Sequence, residues 1–395
     1  MLQDIWFSLP VWLQIVCIVF LAAWFVQLVY LLIVRRRPLS LLRAEKKGRL
    51  KLNDEQPGVT VVVYAHNQSD DLLRNLPVLF DNDYPFFDVV VVDDGSTDDT
   101  EDVLKQMDQR SEHFQHTTID EKVRTVSHRK LAMMLGVKAS HNDYIIMTQA
   151  QCVPASPKWI SSVMSRFVPG VDVVMSPVVY ESRTGIMNHF YQWDYFDRLI
   201  TMLGLTSAVK AYGGWSSNLA FRKEVFFANK NQAFSRHLDL HPGEDDLFVN
   251  CVARKGNVAV ACSPDSLLVN QLQPLRYGWS KDRLKRAFTA RYYFLAPCVV
   301  RHIDIFSRYV CVLTGLACAG VAAWLQNWWV MGAALALLLI HALLVVLIPY
   351  YTAKRLGIHR FFFSPLLCAL LTPMVDACFS MKANLNTKQF YVGRI

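Results

Sequence analysis

The sequence predicts a doubly wound α/β domain carried by membrane helices, and two observations predict it. β-Branched runs at 59–65 (VTVVVYA) and 87–92 (FDVVVV) end in polar residues and alternate with helix-like stretches, as strands of an open sheet do. Long uncharged segments flank that region, and the whole chain is 53% hydrophobic and only 19% charged, too apolar for an ordinary soluble protein of 395 residues.

Pro10 to Val34 is the first uncharged segment, long enough to span about 30 Å of hydrocarbon. It lacks the basic n-region and small-residue cleavage site of a signal peptide. Arg35, Arg36 and Arg37 follow, then Arg43, Lys46, Lys47, Arg49 and Lys51. The positive-inside rule therefore puts this end in the cytosol and the N-terminus outside. Tyr309–Leu325 and Trp328–Tyr350 read as a helical hairpin with Trp324, Trp328 and Trp329 at an interface. Phe361–Phe379, broken by Pro365 and Pro373 and carrying Asp376, reads as a re-entrant or interfacial helix rather than a third C-terminal span. The expected organisation is an anchor over 1–37, a cytosolic domain over 38–306 and a membrane region over 307–395.

Nine scattered cysteines with no CxxC pair predict reduced thiols and no disulfide frame. The net charge of +8 gathers beside membrane segments, so it predicts contact with lipid headgroups and excludes nucleic acid as a partner.

Inside the domain, Asp93 and Asp94 close the second strand ahead of Gly95, placed to accept hydrogen bonds from a base or ribose, while Ser96 and Asp98 cap the next helix. His128, Arg129 and Lys130 open a later helix, where cations and free N–H groups suit a diphosphate. Tyr144–Met147 is a buried strand ending in Gln149, Ala150, Gln151 and Cys152. Ile186–Val209 is an aromatic-rich helix suited to the membrane surface or to a core. Gly213 and Gly214 allow close backbone approach, Trp215 offers an apolar face, and an acidic run, Glu244, Asp245 and Asp246, follows Pro242 and Gly243. Three adjacent carboxylates predict one raised pKa, the property of a base that works near neutrality.

In the order VVVYAHN, VVVDDGSTD, SHRKLA, YIIMTQAQC, GGWSSNLAFRKEVF and GEDDLF, the stretch from about Gly58 to Phe294 resembles the family 2 membrane glycosyltransferases of GT-A fold, related to the cellulose synthase and poly-N-acetylglucosamine synthase-like group. The resemblance implies a Rossmann-like, doubly wound mixed sheet with one N-terminal and two to three C-terminal membrane helices. It implies that Ala65, Asn67, Asp93 and Asp94 hold the nucleoside, and that His128 and Lys130 approach the diphosphate. Gly213, Gly214, Trp215 and Asn218 then line the sugar and acceptor pocket. Asp245 becomes the general base, flanked by Glu244 and Asp246. Arg283 and Arg286, in WSKDRLKR where processive members carry QxxRW, would close over the donor phosphates. The missing tryptophan of that motif argues against processive synthesis.

The family's metal-binding DxD falls on Gln149 and Gln151, so a Mg²⁺ or Mn²⁺ ion loses its charged ligands there. The implied activity is inverting transfer from a nucleotide-diphosphate sugar to a lipid-linked or glycan acceptor. It would serve cell-surface polysaccharide or glycolipid synthesis at the inner (cytoplasmic) membrane, alongside other pathway enzymes. The alternative is a non-catalytic nucleotide- or partner-binding scaffold of the same fold, motivated by the two glutamines.

Overall fold

The uncharged N-terminal run forms helix α1 (Val11–Tyr30), which continues through a π-helical turn at Leu31–Arg35 into α2 (Arg37–Lys46). This computed structural model describes residues 9–109, 111–120, 126–228, 237–272 and 275–392. The domain then begins β1 (Val59–Ala65), α3 (Ser69–Phe80), β2 (Phe87–Asp93), α4 (Thr100–Asp108), β3 (Phe114–Thr118), α5 (His128–Ala139) and β4 (Tyr144–Gln149). These four strands are parallel, in the order β3-β2-β1-β4.

The valine runs are uninterrupted because both faces of the sheet are covered. Val61 and Val63 pack with Leu72, Leu76 and Leu104 of α3 and α4, whereas Val62 turns to Met133 and Val137 of α5. A strand's side chains alternate between faces, so one run serves both cores.

The chain continues through β5 (Cys152–Pro154), α6 (Trp159–Met164), β6 (Val173–Met175) and β7 (Val178–Tyr180), then α7 (Ile186–Ala208). Next come β8 (Leu219–Arg222), α8 (Lys223–Phe227), α9 (Asp246–Val252), β9 (Val258–Val260) and β10 (Leu268–Asn270). β8 lies antiparallel to β4 and extends the large sheet through β6 and β9 to seven strands, while β5, β10 and β7 form a small second sheet. The fold is thus the doubly wound mixed sheet that the sequence predicts.

Helix α7 belongs to the core. Trp193, Tyr195, Phe196, Leu199 and Ile200 are buried, and only its ends, Ile186 and Met187 at the start and Ala208 at the last position, are exposed. Its aromatics are needed because the helix has neighbours on several sides, among them the sheet and the π-helical turn.

After α10 (Leu275–Thr289), the chain forms α11 (Leu295–Trp324), α12 (Trp328–Leu356) and α13 (Ser364–Leu385). With the Val11–Arg35 segment, these last three helices are long and apolar enough to cross a membrane. α11 starts 14 residues before the predicted Tyr309, since its first turns carry Arg301, Asp304 and Arg308 outside any apolar run. α13 runs through Pro373 as a single helix, with its hydropathy the lowest of the four. Cys17, Phe20 and Ala23 of α1 pack against Cys318 and Ala319 of α11, and all nine cysteines are free thiols.

Candidate functional site

Parallel pairing aligns Tyr64 with Gln149 and Ala65 with Asp93, so three strands end in one row. Ligands collect at such a carboxyl edge where neighbouring strands lead in opposite directions, and β1 is that switch point. A cleft of about 840 Å³ opens there, walled by the strand ends on one side and by α10 on the other.

The nucleoside-side residues divide. Asn67 lines the cleft in a left-handed conformation (φ 52°), its side-chain oxygen accepting from Thr97 N. Asp93 is buried and accepts from Ser96, while Asp94 is held by the Tyr64 hydroxyl and by His128. Ala65 contributes its carbonyl to Asp94 N. Ala65, Asp93 and Asp94 frame the cleft rather than face into it.

Lys130 points away. Its ammonium is buried and donates to the carbonyls of His237 and Leu240, pinning the loop that precedes the acidic run. Burial, against the pull of Glu244, lowers its pKa to about 8. Its neighbour Arg129 is the cation that reaches the cleft, over the Tyr64 ring at 4.8 Å and 3.4 Å from Glu244. The reason is helical: consecutive positions diverge by about 100°, and Lys130 falls on the buried side of α5.

Gln149 and Gln151 form part of an amide relay. Gln68 Nε2 donates to Gln151 Oε1 (2.8 Å), Gln151 Nε2 donates to Gln149 Oε1 (2.6 Å), and Gln149 Nε2 lies 3.4 Å from Ser216 Oγ. Both carbonyls therefore already accept a hydrogen bond, and neither side chain carries charge. A hard divalent cation seeks several anionic or carbonyl oxygens, and this donor set does not fit one. Among the described residues, no group of three or more His, Cys, Asp or Glu side chains could hold a metal ion. Gln68, the source of the relay, follows a strand end like the other site residues, but nothing local in the sequence marks it.

The glycines serve packing. A Cβ on Gly214 would meet Val249 at 2.8 Å, so this glycine lets the loop lie against α9 rather than against a sugar. Gly213 is likewise bordered by Asp246. Asn218 is buried, donating to the carbonyls of Pro177 and Ser266 and accepting from Trp159, so it ties strands together instead of lining the cleft. Trp215 does line the cleft, with the Arg286 guanidinium 4.7 Å from its ring centre.

The acidic run splits into three roles. Asp246 is buried and receives the hydroxyls of Thr289 and Tyr293, anchoring α9 to α10. Burial pushes Glu244 up, but Lys285 and Arg129 outweigh it and hold this carboxyl below the usual range. Asp245 lines the cleft, accepts from Asp246 N and Ser216 N, and lies 3.6 Å from Arg286. Burial first, and then the Asp246 charge, raise Asp245 to about 7 despite that arginine. Of the three, Asp245 has the position and proton affinity of a general base.

On α10, Lys281, Asp282, Lys285 and Arg286 face the cleft. Arg283 does not: it is buried in ion pairs with Asp194 of α7 and Asp376 of α13. Asp376, oddly polar for an apolar segment, is thereby accounted for, and also pairs with Arg301. A second cavity of about 410 Å³ lies between the domain and the membrane helices, and Trp215 and Arg286 line both spaces.

Residues 60–227 match the family model described as Glycosyl transferase family 2, a stretch that stops short of Glu244 to Asp246. No curated protein matches the chain in sequence. The mannosyltransferase PcManGT from Pyrobaculum calidifontis, solved with GDP-Man and Mn2+, is similar in structure, with 19% identity and a TM-score of 0.53 over 95% of this chain and 99% of that one. TarS 1-349 from S. aureus is similar with 13% identity and a TM-score of 0.41, over 80% and 91%. The first likeness is one of fold.

Proposed function

Because the chain carries a glycosyl transferase family 2 domain of GT-A fold, we propose that it transfers a sugar, with inversion, from a nucleotide-diphosphate sugar to a lipid-linked or glycan acceptor. The observation that carries this reading is Asp245, a cleft-lining carboxyl raised to about 7 beside Arg286. In the proposed step, Asp245 takes the proton of the acceptor hydroxyl as its oxygen attacks the anomeric carbon. The bond from that carbon to the diphosphate oxygen breaks, and the electron pair leaves with the nucleoside diphosphate. Attack from the face opposite the leaving group inverts the centre, and a base near the acceptor is the one group such a step requires.

Two features support an acceptor that arrives from the membrane. The second cavity borders α11 and α13 and meets the cleft at Trp215 and Arg286. The cluster of basic residues within 35–51 supports, by the positive-inside rule, a domain on the cytosolic face. We assign residues 1–37 as the anchor, 38–306 as the transferase domain and 307–395 as the membrane region, within a pathway of cell-surface polysaccharide or glycolipid assembly.

The amide relay favours one rival, a non-catalytic scaffold of the same fold. Purified full-length protein offered a panel of nucleotide sugars, GDP-Man among them, separates the two, with Asp245→Asn as the control. Donor turnover that Asp245→Asn abolishes supports the transferase. Absence of turnover with every donor, in EDTA and with Mg²⁺ or Mn²⁺, rejects it.

A further inference from the structure

The cleft that lacks a fitting metal site carries surplus positive charge on its other wall. Most of the cations lining it have partners. Arg74 pairs with Asp71, Arg183 with Glu181, and Arg286 with Asp282 and Asp245. Lys281 is exposed and stacks on Tyr277. Lys285 is different: among the described residues it has no ion-pair or hydrogen-bond partner, although it is only partly exposed. The largest influence on its ammonium is the Arg129 guanidinium, and that influence is repulsive. Arg129 in turn has a single carboxylate partner, Glu244 at 3.4 Å.

Arg129 and Lys285 are therefore like charges lining one cleft, both attracted by Glu244 and Asp245, with Asp282 a further attraction on Lys285. None of these carboxylates forms an ion pair with Lys285 among the described residues, so its ammonium keeps its hydrogen bonds for an anion that enters the cleft. Arg129 shares a small void of about 20 Å³ with Gln149, Ser216 and Glu244, so the Arg129–Glu244 pair borders the amide relay, while Lys285 faces the same cleft from α10.

We propose that Arg129 and Lys285 take the place of a divalent cation, clamping the donor's diphosphate so that nucleoside diphosphates bind without metal. This deepens the nucleotide-sugar reading above and rests on it. The diphosphate supplies that anion, Lys285 acts as a point charge, and the Arg129 fork bridges the phosphate oxygens and Glu244. As the glycosidic bond breaks, the same pair stabilises the charge that grows on the leaving diphosphate.

The test is calorimetric titration of the full-length protein in detergent with UDP, GDP, CDP and ADP, in EDTA and again in Mn²⁺. The dissociation constant of the best ligand is expected to differ by less than about twofold between the two buffers. Lys285→Gln is expected to weaken it about tenfold or more. Lys285→Arg should retain most of the affinity, and Lys105→Gln, on the exposed face of α4 outside the cleft, should leave it within about threefold. Binding that tightens about tenfold or more on adding Mn²⁺ overturns the clamp while leaving the nucleotide-sugar reading intact. So does unchanged binding in both Lys285→Gln and Arg129→Gln. If no nucleoside diphosphate binds in either buffer, both readings fall. The metal comparison uses the unmodified chain, so the test survives a variant that does not fold.

Discussion

The two sides of α10 present the same kind of charge to different surroundings. Toward the membrane helices, Arg283 is almost fully buried, yet Asp194 and Asp376 neutralise it, and Trp279 beside it donates to the same Asp194. Toward the cleft, Lys285 is partly open and forms no ion pair among the described residues. Arg286 lies at the seam, bonded to Asp282 and the Gly214 carbonyl while also near Asp245. A buried cation with all its partners is architecture, whereas a cation without one is poised for a ligand. Charge type does not separate these roles; completeness of pairing does.

That contrast is tested most severely at Asp245, where both sides converge. Asp245→Asn keeps the helix cap, since asparagine caps as well as aspartate, and is expected to lower the transfer rate by about 10² to 10⁴-fold without lowering the melting temperature. The pH dependence has a definite sign. A carboxyl raised to about 7 is protonated, and useless as a base, below that pH. Turnover should therefore rise through pH 7 and fall about tenfold for each unit further into acid. A rate that stays flat between pH 5 and pH 8 is inconsistent with Asp245 as the base.

Arg283→Met probes the architectural side. It leaves Asp194, whose side chain is 0% exposed, short of its closest cation. Breaking a buried pair from one end costs about 3–5 kcal/mol, so a large drop in thermal stability is expected. Nucleoside diphosphate affinity in the surviving folded protein should hardly change. Loss of affinity at unchanged stability would place Arg283 with the ligand instead.

Asn218→Ala, on the strand side, removes two donors and an acceptor from buried partners. About 1–3 kcal/mol of stability should be lost, again with donor affinity preserved. The smallest effect concerns the amides. Gln149→Asp with Gln151→Asp converts the relay into adjacent carboxylates, and Mn²⁺, which should not shift the melting point of the unmodified protein, is expected to raise that of the double variant by a few degrees. If Mn²⁺ stabilises both equally, the amide relay does not govern metal binding.

How far these distinctions were legible beforehand depends on the residue. The strands at 59–65 and 87–93 and the first membrane helix follow from apolar runs and the polar residues that end them, whereas Asp245 was singled out by its register in the GEDD motif of the resemblance. Lys130, Asn218 and Arg283 looked equally functional in one dimension and proved to be internal ties. Arg129 stood beside Lys130 in the same motif, and one step along the helix turned one to the cleft and the other to the core. The long aromatic helix at 186–208 is a core element, because aromatic density alone does not tell a membrane surface from a helix wrapped by protein.

By itself, the sequence determined the local elements, the membrane-competent segments, the resemblance to the family 2 glycosyltransferases and the glutamines at the position of that family's metal ligands, since each depends on residue type and short-range pattern. Only the tertiary structure decided which charges are spent and which remain. Ion pairs such as Arg283 with Asp194 and Asp376 join residues far apart in the chain. So does the amide relay from Gln68 to Gln151 and Gln149. Pairing across such separations is fixed by packing, and no local pattern records it.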